Sequence, residues 1–388
     1  MTEMVHGTLP IRAGEPVLPR WWRSIDRWSM GAVLALFSIG LLLGLAASVP
    51  LAERNDMPAF HYVTRQLAFG MAGIVAMILV SMLDPRQIRR LGTVVFLVAL
   101  IGLMLLPVFG TNYGKGAVRW FSLGFGSVQP SEFLKPGFIL VTAWLMAAAQ
   151  DIGGPPGRAW SFGLLILVVA LLVLQPDFGQ TMLVLFGWGV VYFVSGAPML
   201  VLGGLIGLAG AGLFAAYHTF DHVAVRFNGY FASEIDPRTQ IGYATTAIQN
   251  GGFFGTGIGE GQVKWQLPDA HTDFIIAVAA EEYGLVLVCI IIALYATILV
   301  RSLLRLTRER DAFARLAGAG LACIFAVQAF INMGVAVRLL PTKGMTLPFV
   351  SYGGSSVVAA GLTVGALLAL TRMRPQGELG DHLLRRGR

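Results

Sequence analysis

The feature that most constrains this chain is the recurrence of apolar runs about as long as a bilayer is thick. A helical span needs roughly 20 predominantly apolar residues. Such runs recur near 28–49, 60–82, 91–110, 131–149, 160–175, 178–196, 198–217, 273–300, 314–337 and 348–371. The expected fold is therefore an all-α polytopic membrane protein of about ten transmembrane helices. Composition agrees, because only 13% of the 388 residues are charged, whereas a soluble domain carries about a quarter. Charge is expensive against lipid, and the 48 glycines suit helices that approach one another closely.

Arginine placement sets the expected orientation. With the N-terminus inside, the inner segments hold 18 of the 28 basic residues, among them Arg86, Arg89, Arg90, Arg158, Arg301, Arg305 and Arg372. Both termini are then cytoplasmic. The chain divides into an N-terminal tail (1–27), one transmembrane domain (28–372) and a C-terminal tail (373–388). A long external loop, 218–272, separates the seventh and eighth spans. Residues 1–26 hold no apolar core long enough for a cleaved signal, so the first span is expected to direct insertion.

A net charge of +7 does not make this a nucleic-acid binder, because the basic residues lie in short loops between apolar runs. Cys289 and Cys323 both sit inside apolar runs and offer neither a disulfide framework nor metal spacing. More informative are the cations that defy the inside bias. Lys115, Arg119, Lys135, Arg226, Arg238, Lys264, Arg338 and Lys343 lie on the outer side, and Arg54 and Arg65 flank the first outer loop as interfacial residues. An anionic ligand on the outer face would compensate the first set; snorkelling or loop ion pairs are the plainer account.

Four polar clusters map to that same side. In the first, Arg119-Trp120 precedes Gln129-Pro130-Ser131-Glu132 and Lys135. Pro130 and Glu132 suit a helix start. Lys135 opposes the dipole there and can pair with Glu132 three residues away. In the second, Gln175-Pro176-Asp177, the aspartate reads first as a helix cap. The third runs from a glycine-rich stretch at 251–259 through Lys264 to His271-Thr272-Asp273. No strand precedes these glycines, which excludes a nucleotide loop.

Asp273 is either the cap of the eighth helix or a functional carboxylate. Glu281 and Glu282, in the same apolar run, are expected to share a hydrated cavity with it. In the fourth cluster, Pro341 to Ser356 interrupts the apolar pattern with Lys343, Pro348, Ser351, Gly353, Gly354, Ser355 and Ser356. Irregular backbone at membrane depth must be satisfied by protein or by a wet cavity, and a binding site is the reading adopted.

Together these strings resemble the SEDS family (shape, elongation, division and sporulation proteins), in the family's order and across most of the chain. Pro341-Thr342-Lys343-Gly344 is similar to the division branch rather than the elongation branch. Two departures stand at Val118-Arg119 and Arg238-Thr239-Gln240. The resemblance implies a peptidoglycan glycosyltransferase that polymerises lipid II into glycan strands on the outer face of the cytoplasmic membrane, at the division septum, releasing undecaprenyl pyrophosphate. It implies as partners a class B penicillin-binding protein (the transpeptidase), other division proteins and membrane lipid. It also implies that Asp273 is the essential carboxylate and that Glu132 and Lys135 matter for function.

The chemistry fits those residue types. A sugar hydroxyl attacking an anomeric carbon needs a base, a role worth roughly 10²–10⁴-fold, and Asp273 is assigned to it. The departing pyrophosphate needs positive charge, with Arg119, Lys135, Lys264 and Lys343 as candidates. Glu132 either orients Lys135 or, with Asp273, holds a divalent cation such as magnesium or manganese. Trp120, Gln129, His271, Ser351, Gly353, Gly354 and Ser355 complete the expected substrate contacts. Two alternatives use the same features: a lipid II flippase, and a non-catalytic scaffold that activates a partner synthase.

Overall fold

The computed structural model describes residues 17–112, 118–122, 124, 126–219, 224, 239–267, 269–340 and 344–373. A short helix, α1 (Val17–Ser24), precedes the first apolar run. The runs themselves become α2 (Arg27–Arg54), α3 (His61–Ser81), α4 (Pro85–Phe109), α5 (Pro130–Ala148), α6 (Gly157–Leu174), α7 (Phe178–Val194) and α8 (Met199–Thr219). Within the loop that follows, α9 (Gln240–Gly251) is an addition the sequence pattern does not predict. The last runs form α10 (Ile275–Leu306), α11 (Ala312–Ala336) and α12 (Gly354–Leu370).

Among the described residues, seven helices are long and apolar enough to cross a membrane: α2, α3, α4, α6, α8, α10 and α11. The 17-residue helices α7 and α12 are apolar but shorter. Leu67, Met71, Val75 and Leu79 recur every four residues along α3 and are 45–59% exposed. Such a stripe is a liability in water and is at home against lipid. The chain is a polytopic, all-helical membrane protein.

Local sequence explains where helices begin. Pro130 opens α5, where its missing N–H costs nothing. Asp26 accepts from the Trp28 N–H at the start of α2, and Asp177 from the Gln180 N–H at the start of α7. Inside the bundle α3 lies along α12. A Cβ on Gly361 would come within 2.1 Å of the Gly73 carbonyl, so only glycine permits that crossing.

One end of the bundle is locked by charge. The Asp26 carboxylate meets Arg301 at 2.8 Å and Arg305 at 3.2 Å. Burial works to raise the Asp26 pKa, but hydrogen bonds from Arg301 and Ser29 and the nearby Arg305 outweigh it and hold the carboxyl below its ordinary value. Buried Trp21 of α1 donates to Ser81 at 2.9 Å, and the Met373 N–H to the Ser24 carbonyl at 3.0 Å. The opposite end carries a two-residue hairpin, Phe121–Ser122 against Ser127–Val128, together with α9 and the loops beside it.

The run at 273–300 reads as one unbroken span in sequence, but α10 kinks at Gly284, whose φ is +75°. The kink frees backbone groups, and the segment after α9 takes them up. Thr256 and Gly257 N–H groups donate to the Glu281 and Glu282 carbonyls at 2.8 and 3.2 Å. Leu285 and Val286 N–H groups donate to Gly252 and Phe253 carbonyls at 3.0 and 3.3 Å. Irregular backbone at this depth is thus satisfied by protein.

Candidate active site

At the start of α5 the Glu132–Lys135 pairing expected from their spacing is present and buried. Lys135 Nζ lies 2.8 Å from Glu132 Oε2 and donates to Gln328 Oε1, on α11, at 2.8 Å. The other Glu132 oxygen accepts from Gln180 of α7 at 2.6 Å. Each residue is about 5% exposed, so the pair acts as a neutral, fully bonded unit tying α5 to α7 and α11. Beside it lies a cavity of about 20 Å³, room for about one water, lined also by Ser356 and Thr363.

Gln129 and Asp177 extend this network. Gln129 Nε2 donates to Asp177 Oδ2 at 3.2 Å, and its backbone N–H to Ser355 Oγ at 3.3 Å. Asp177 is therefore both the cap the sequence suggests and a network member. Burial pushes its carboxyl above the ordinary aspartate range, against the opposing pull of Arg119. Arg119 reaches from the hairpin to the Gln175 and Pro176 carbonyls at 3.1 and 2.6 Å. Trp120 bridges to Thr111 at the hairpin's base.

Asp273 does not cap α10. The N-cap there is Phe274, with no side-chain hydrogen bond. Three successive carbonyls around Asp273 are instead clamped. His271 O accepts from the Tyr352 N–H at 2.9 Å, Thr272 O from Ser351 Oγ at 2.5 Å, and Asp273 O from Asn332 Nδ2 at 3.0 Å. Ser351 Oγ also accepts from the Leu347 N–H at 2.9 Å, and Asn332 Nδ2 also reaches Met345 O at 2.6 Å. The Asp273 side chain is half-buried. Gly344 lies against it, for a Cβ there would sit 3.3 Å from Asp273 Oδ2.

The two clusters share α11. Gln328, which holds Lys135, donates to the Thr346 carbonyl at 3.2 Å, and Asn332, one turn on, holds Asp273 and Met345. The 344–353 segment is further bound by Gln66 to the Val350 carbonyl at 3.2 Å and by Tyr295 to Pro348 at 2.5 Å. Ser351 thus serves the backbone rather than an open pocket. Gly353 packs against Ser356 and Gly354 against the ring of Phe69. His271, Tyr62 and Tyr352 form an aromatic triangle with centroids 5.5–5.8 Å apart, and Arg65 hydrogen-bonds Tyr352.

Glu281, Glu282 and Lys264 form a separate cluster under the 251–263 loop. Lys264 Nζ lies 2.5 Å from Glu282 Oε1 and 3.0 Å from the Gly259 carbonyl, while Glu281 Oε1 accepts from Gln262 and Val263 N–H groups. All three are buried, and these bonds tie them to the loop that plugs the α10 kink. The expected hydrated cavity shared with Asp273 is replaced by a loop anchor. Lys343, with Pro341 and Thr342, and Lys115, Gly116, Ala117, Arg226, Arg238 and Pro268 lie outside the described residues.

No group of three or more metal-ligating side chains occurs among the described residues, and both Glu132 oxygens are already engaged.

A family model described as a cell cycle protein, FtsW/RodA/SpoVE, matches residues 27–376. The chain belongs to the FtsW/RodA/SpoVE family. Among this family's members, a probable peptidoglycan glycosyltransferase FtsW of Caulobacter vibrioides (strain NA1000 / CB15N) is 43% identical over 375 residues, spanning 95% of this chain and 96% of that one. A second, from Trichlorobacter lovleyi (strain ATCC BAA-1151 / DSM 17278 / SZ), is 35% identical over 87% of this chain and 91% of its own. One solved FtsW/RodA/SpoVE-like fold belongs to a peptidoglycan synthase complex that coordinates polymerization and crosslinking. It superposes with a TM-score of 0.72 at 30% identity, over 90% of this chain and 98% of that one. The rod shape determining protein RodA of Thermus thermophilus superposes with a TM-score of 0.66 at 30% identity, over 91% of this chain and 99% of its own. The SEDS resemblance read from the motifs is thereby shown.

Residues that sequence reasoning missed are the amides and aromatics that hold the motifs in place: Gln66, Gln180, Gln328, Asn332, Tyr62 and Tyr295. Four of them, Gln66, Gln180, Gln328 and Asn332, are polar side chains inside apolar helices, which is a readable signal. Arg65, read as interfacial, stands against Tyr352.

Proposed function

We propose that this chain is a peptidoglycan glycosyltransferase that polymerises lipid II, with Asp273 as general base. The observation that carries the reading is the triple clamp on the carbonyls of His271, Thr272 and Asp273. Such a clamp fixes the backbone that carries the carboxylate before substrate arrives, which positional catalysis requires. The acceptor hydroxyl gives its proton to Asp273 as its oxygen bonds to the anomeric carbon of the donor sugar. The bond from that carbon to the lipid pyrophosphate breaks, and the pyrophosphate leaves with the electron pair.

The leaving group's charge falls to Arg119 and Lys343, with Arg65 and Tyr352 lining the Asp273 side. The Lys135–Glu132 pair is an orienting unit, and Lys264 is committed to Glu282. The ten helices are ten spans, with both termini and the Asp26–Arg301–Arg305 lock cytoplasmic and the 218–272 loop outside. Supporting this, Arg54, at the far end of α2 from Asp26, bonds the Trp265 carbonyl of the loop. The protein sits in the cytoplasmic membrane at the division septum and works with a class B penicillin-binding protein.

The test is polymerisation by purified chain in detergent, with labelled lipid II, alone and with the transpeptidase partner carrying a blocked active site. Glycan strands on a gel support the reading. Translocation of lipid II by vesicles without strands would instead show a flippase, and strands appearing only when an added synthase is active would show a scaffold.

A further inference from the structure

Outside the site just described, an open apolar groove of about 550 Å³ lies between α4, α5 and α6. Its size lies within the roughly 300–1,000 Å³ of ordinary ligand pockets. Phe96, Leu97, Val141, Leu145, Gly163 and Leu164 are among the residues that line it. These residues occupy the first turns of α6, the last turns of α5 and the first half of α4. The groove therefore opens to lipid in the half of the bundle opposite Asp273.

Its rim is basic. Arg89 and Arg90 stand one turn before the groove residue Thr93 on α4, and Arg89 is also two turns before Phe96 and Leu97, so both share the groove's face. The Arg89 guanidinium lies 5.2 Å over the ring of Trp144, on α5 beside Leu145. Arg158, exposed in the first turn of α6, adds positive charge at the same end of the groove, on another face of its helix. Among the described residues, none of these three arginines is in an ion pair. The first turns of α4 and α6 hold no acidic residue, and both helices direct their N-termini to this rim. The nearby acids are Asp84, which faces Arg372 at 3.6 Å, and exposed Asp151 in the α5–α6 turn.

We propose that this groove binds an anionic glycerophospholipid of the cytoplasmic leaflet, with an acyl chain in the apolar trough and the phosphate against Arg89 and Arg90. A basic pocket between spans at the cytoplasmic side is chemically suited to such a headgroup. A zwitterionic lipid would fill the trough but leave the arginines' charge uncompensated. The leaflet assignment rests on the orientation proposed above; the chemistry of the ligand does not.

The test uses full-length protein in micelles doped with phosphatidylglycerol, phosphatidylcholine or polyprenyl phosphate, with retained lipid read by native mass spectrometry. The expected result is a preference of roughly tenfold or more for phosphatidylglycerol over phosphatidylcholine. Arg89→Gln combined with Arg90→Gln brings that preference to parity. Gly163→Leu, whose Cβ would meet nothing within 4 Å, adds a bulky side chain to the groove's lining and reduces retention of both phospholipids. If Gly163→Leu fails to fold, the arginine variant decides. Equal retention of the two phospholipids by wild type overturns the proposal, as does undiminished retention by monodisperse Gly163→Leu. Displacement of phosphatidylglycerol by polyprenyl phosphate at equal dose also overturns it. Lipid retention needs no polymerisation, so this failure and a failure of the glycosyltransferase reading are distinguishable.

Discussion

Asn332, buried in α11, donates its side-chain N–H to the backbone carbonyl of Asp273 at 3.0 Å, and the same nitrogen reaches the carbonyl of Met345 at 2.6 Å. One amide thus fixes two irregular segments, the one carrying the carboxylate and the one packed against it. Asn332 is a positioning residue.

Asn332→Leu keeps the branched shape and the number of side-chain heavy atoms and removes both bonds. Displacements of about 1 Å at a reacting group cost roughly 10² in rate. Steady-state polymerisation by this variant is expected to show a lower kcat, by roughly that factor, with KM changed little. A rise in KM at unchanged kcat would place Asn332 in substrate binding instead.

Gly344 tests the same geometry from the other side. A methyl there would sit 3.3 Å from Asp273 Oδ2, so Gly344→Ala is expected to push the carboxylate aside and slow polymerisation without lowering Tm. Wild-type rates from Gly344→Ala would show that the carboxylate's placement tolerates a shift.

The Glu132–Lys135 pair makes a thermodynamic prediction. Removing one partner of a buried pair leaves an uncompensated charge at a cost of about 3–5 kcal/mol. Lys135→Met is therefore expected to destabilise strongly, and Glu132→Gln with Lys135→Met to recover part of the loss. Thermal unfolding of wild type, Glu132→Gln, Lys135→Met and the double variant in one detergent gives the coupling; additive losses would show that the two charges act independently.

How much of this was legible in sequence follows from what each signal encodes. Apolar run length is read directly by the bilayer, so the helices stand where the runs predict them. The Glu132–Lys135 pair was legible because three-residue spacing on a helix fixes contact. The Gly284 kink was not, since a glycine inside an apolar run is ordinary and only the partner loop at 252–257 makes the break affordable. For the same reason Glu281 and Glu282 read as cavity residues, whereas they anchor that loop. Ser351 read as a ligand contact, yet its hydroxyl lies between Thr272 and Leu347; hydrogen bonds across 79 residues of chain leave no local pattern.

Gly284→Ala probes that kink. Its φ of +75° disfavours a side chain, and a Cβ would meet the Phe253 carbonyl at 2.3 Å. A loss of about 1–3 kcal/mol is expected, with faster proteolysis of the 252–260 loop. Unchanged cleavage would show that the loop holds without the kink.

Asp26 provides a pH signature. Its folded pKa is depressed, so its contribution to stability is present above the ordinary aspartate value of about 3.9 and lost as pH falls below it. Asp26→Asn is expected to lower Tm at pH 7, with the gap to wild type closing below about pH 3.9. A gap independent of pH would assign the effect to packing rather than to the ion pairs with Arg301 and Arg305.

The most direct measurement is single-turnover coupling of labelled lipid II by Asp273→Asn, bound to its transpeptidase partner. The account predicts a fall of at least roughly 10² in the coupling rate, with helicity, Tm and partner binding retained. Strands made at the wild-type rate would contradict it, and the general base would then have to be sought elsewhere than in the clamped His271-Thr272-Asp273 segment.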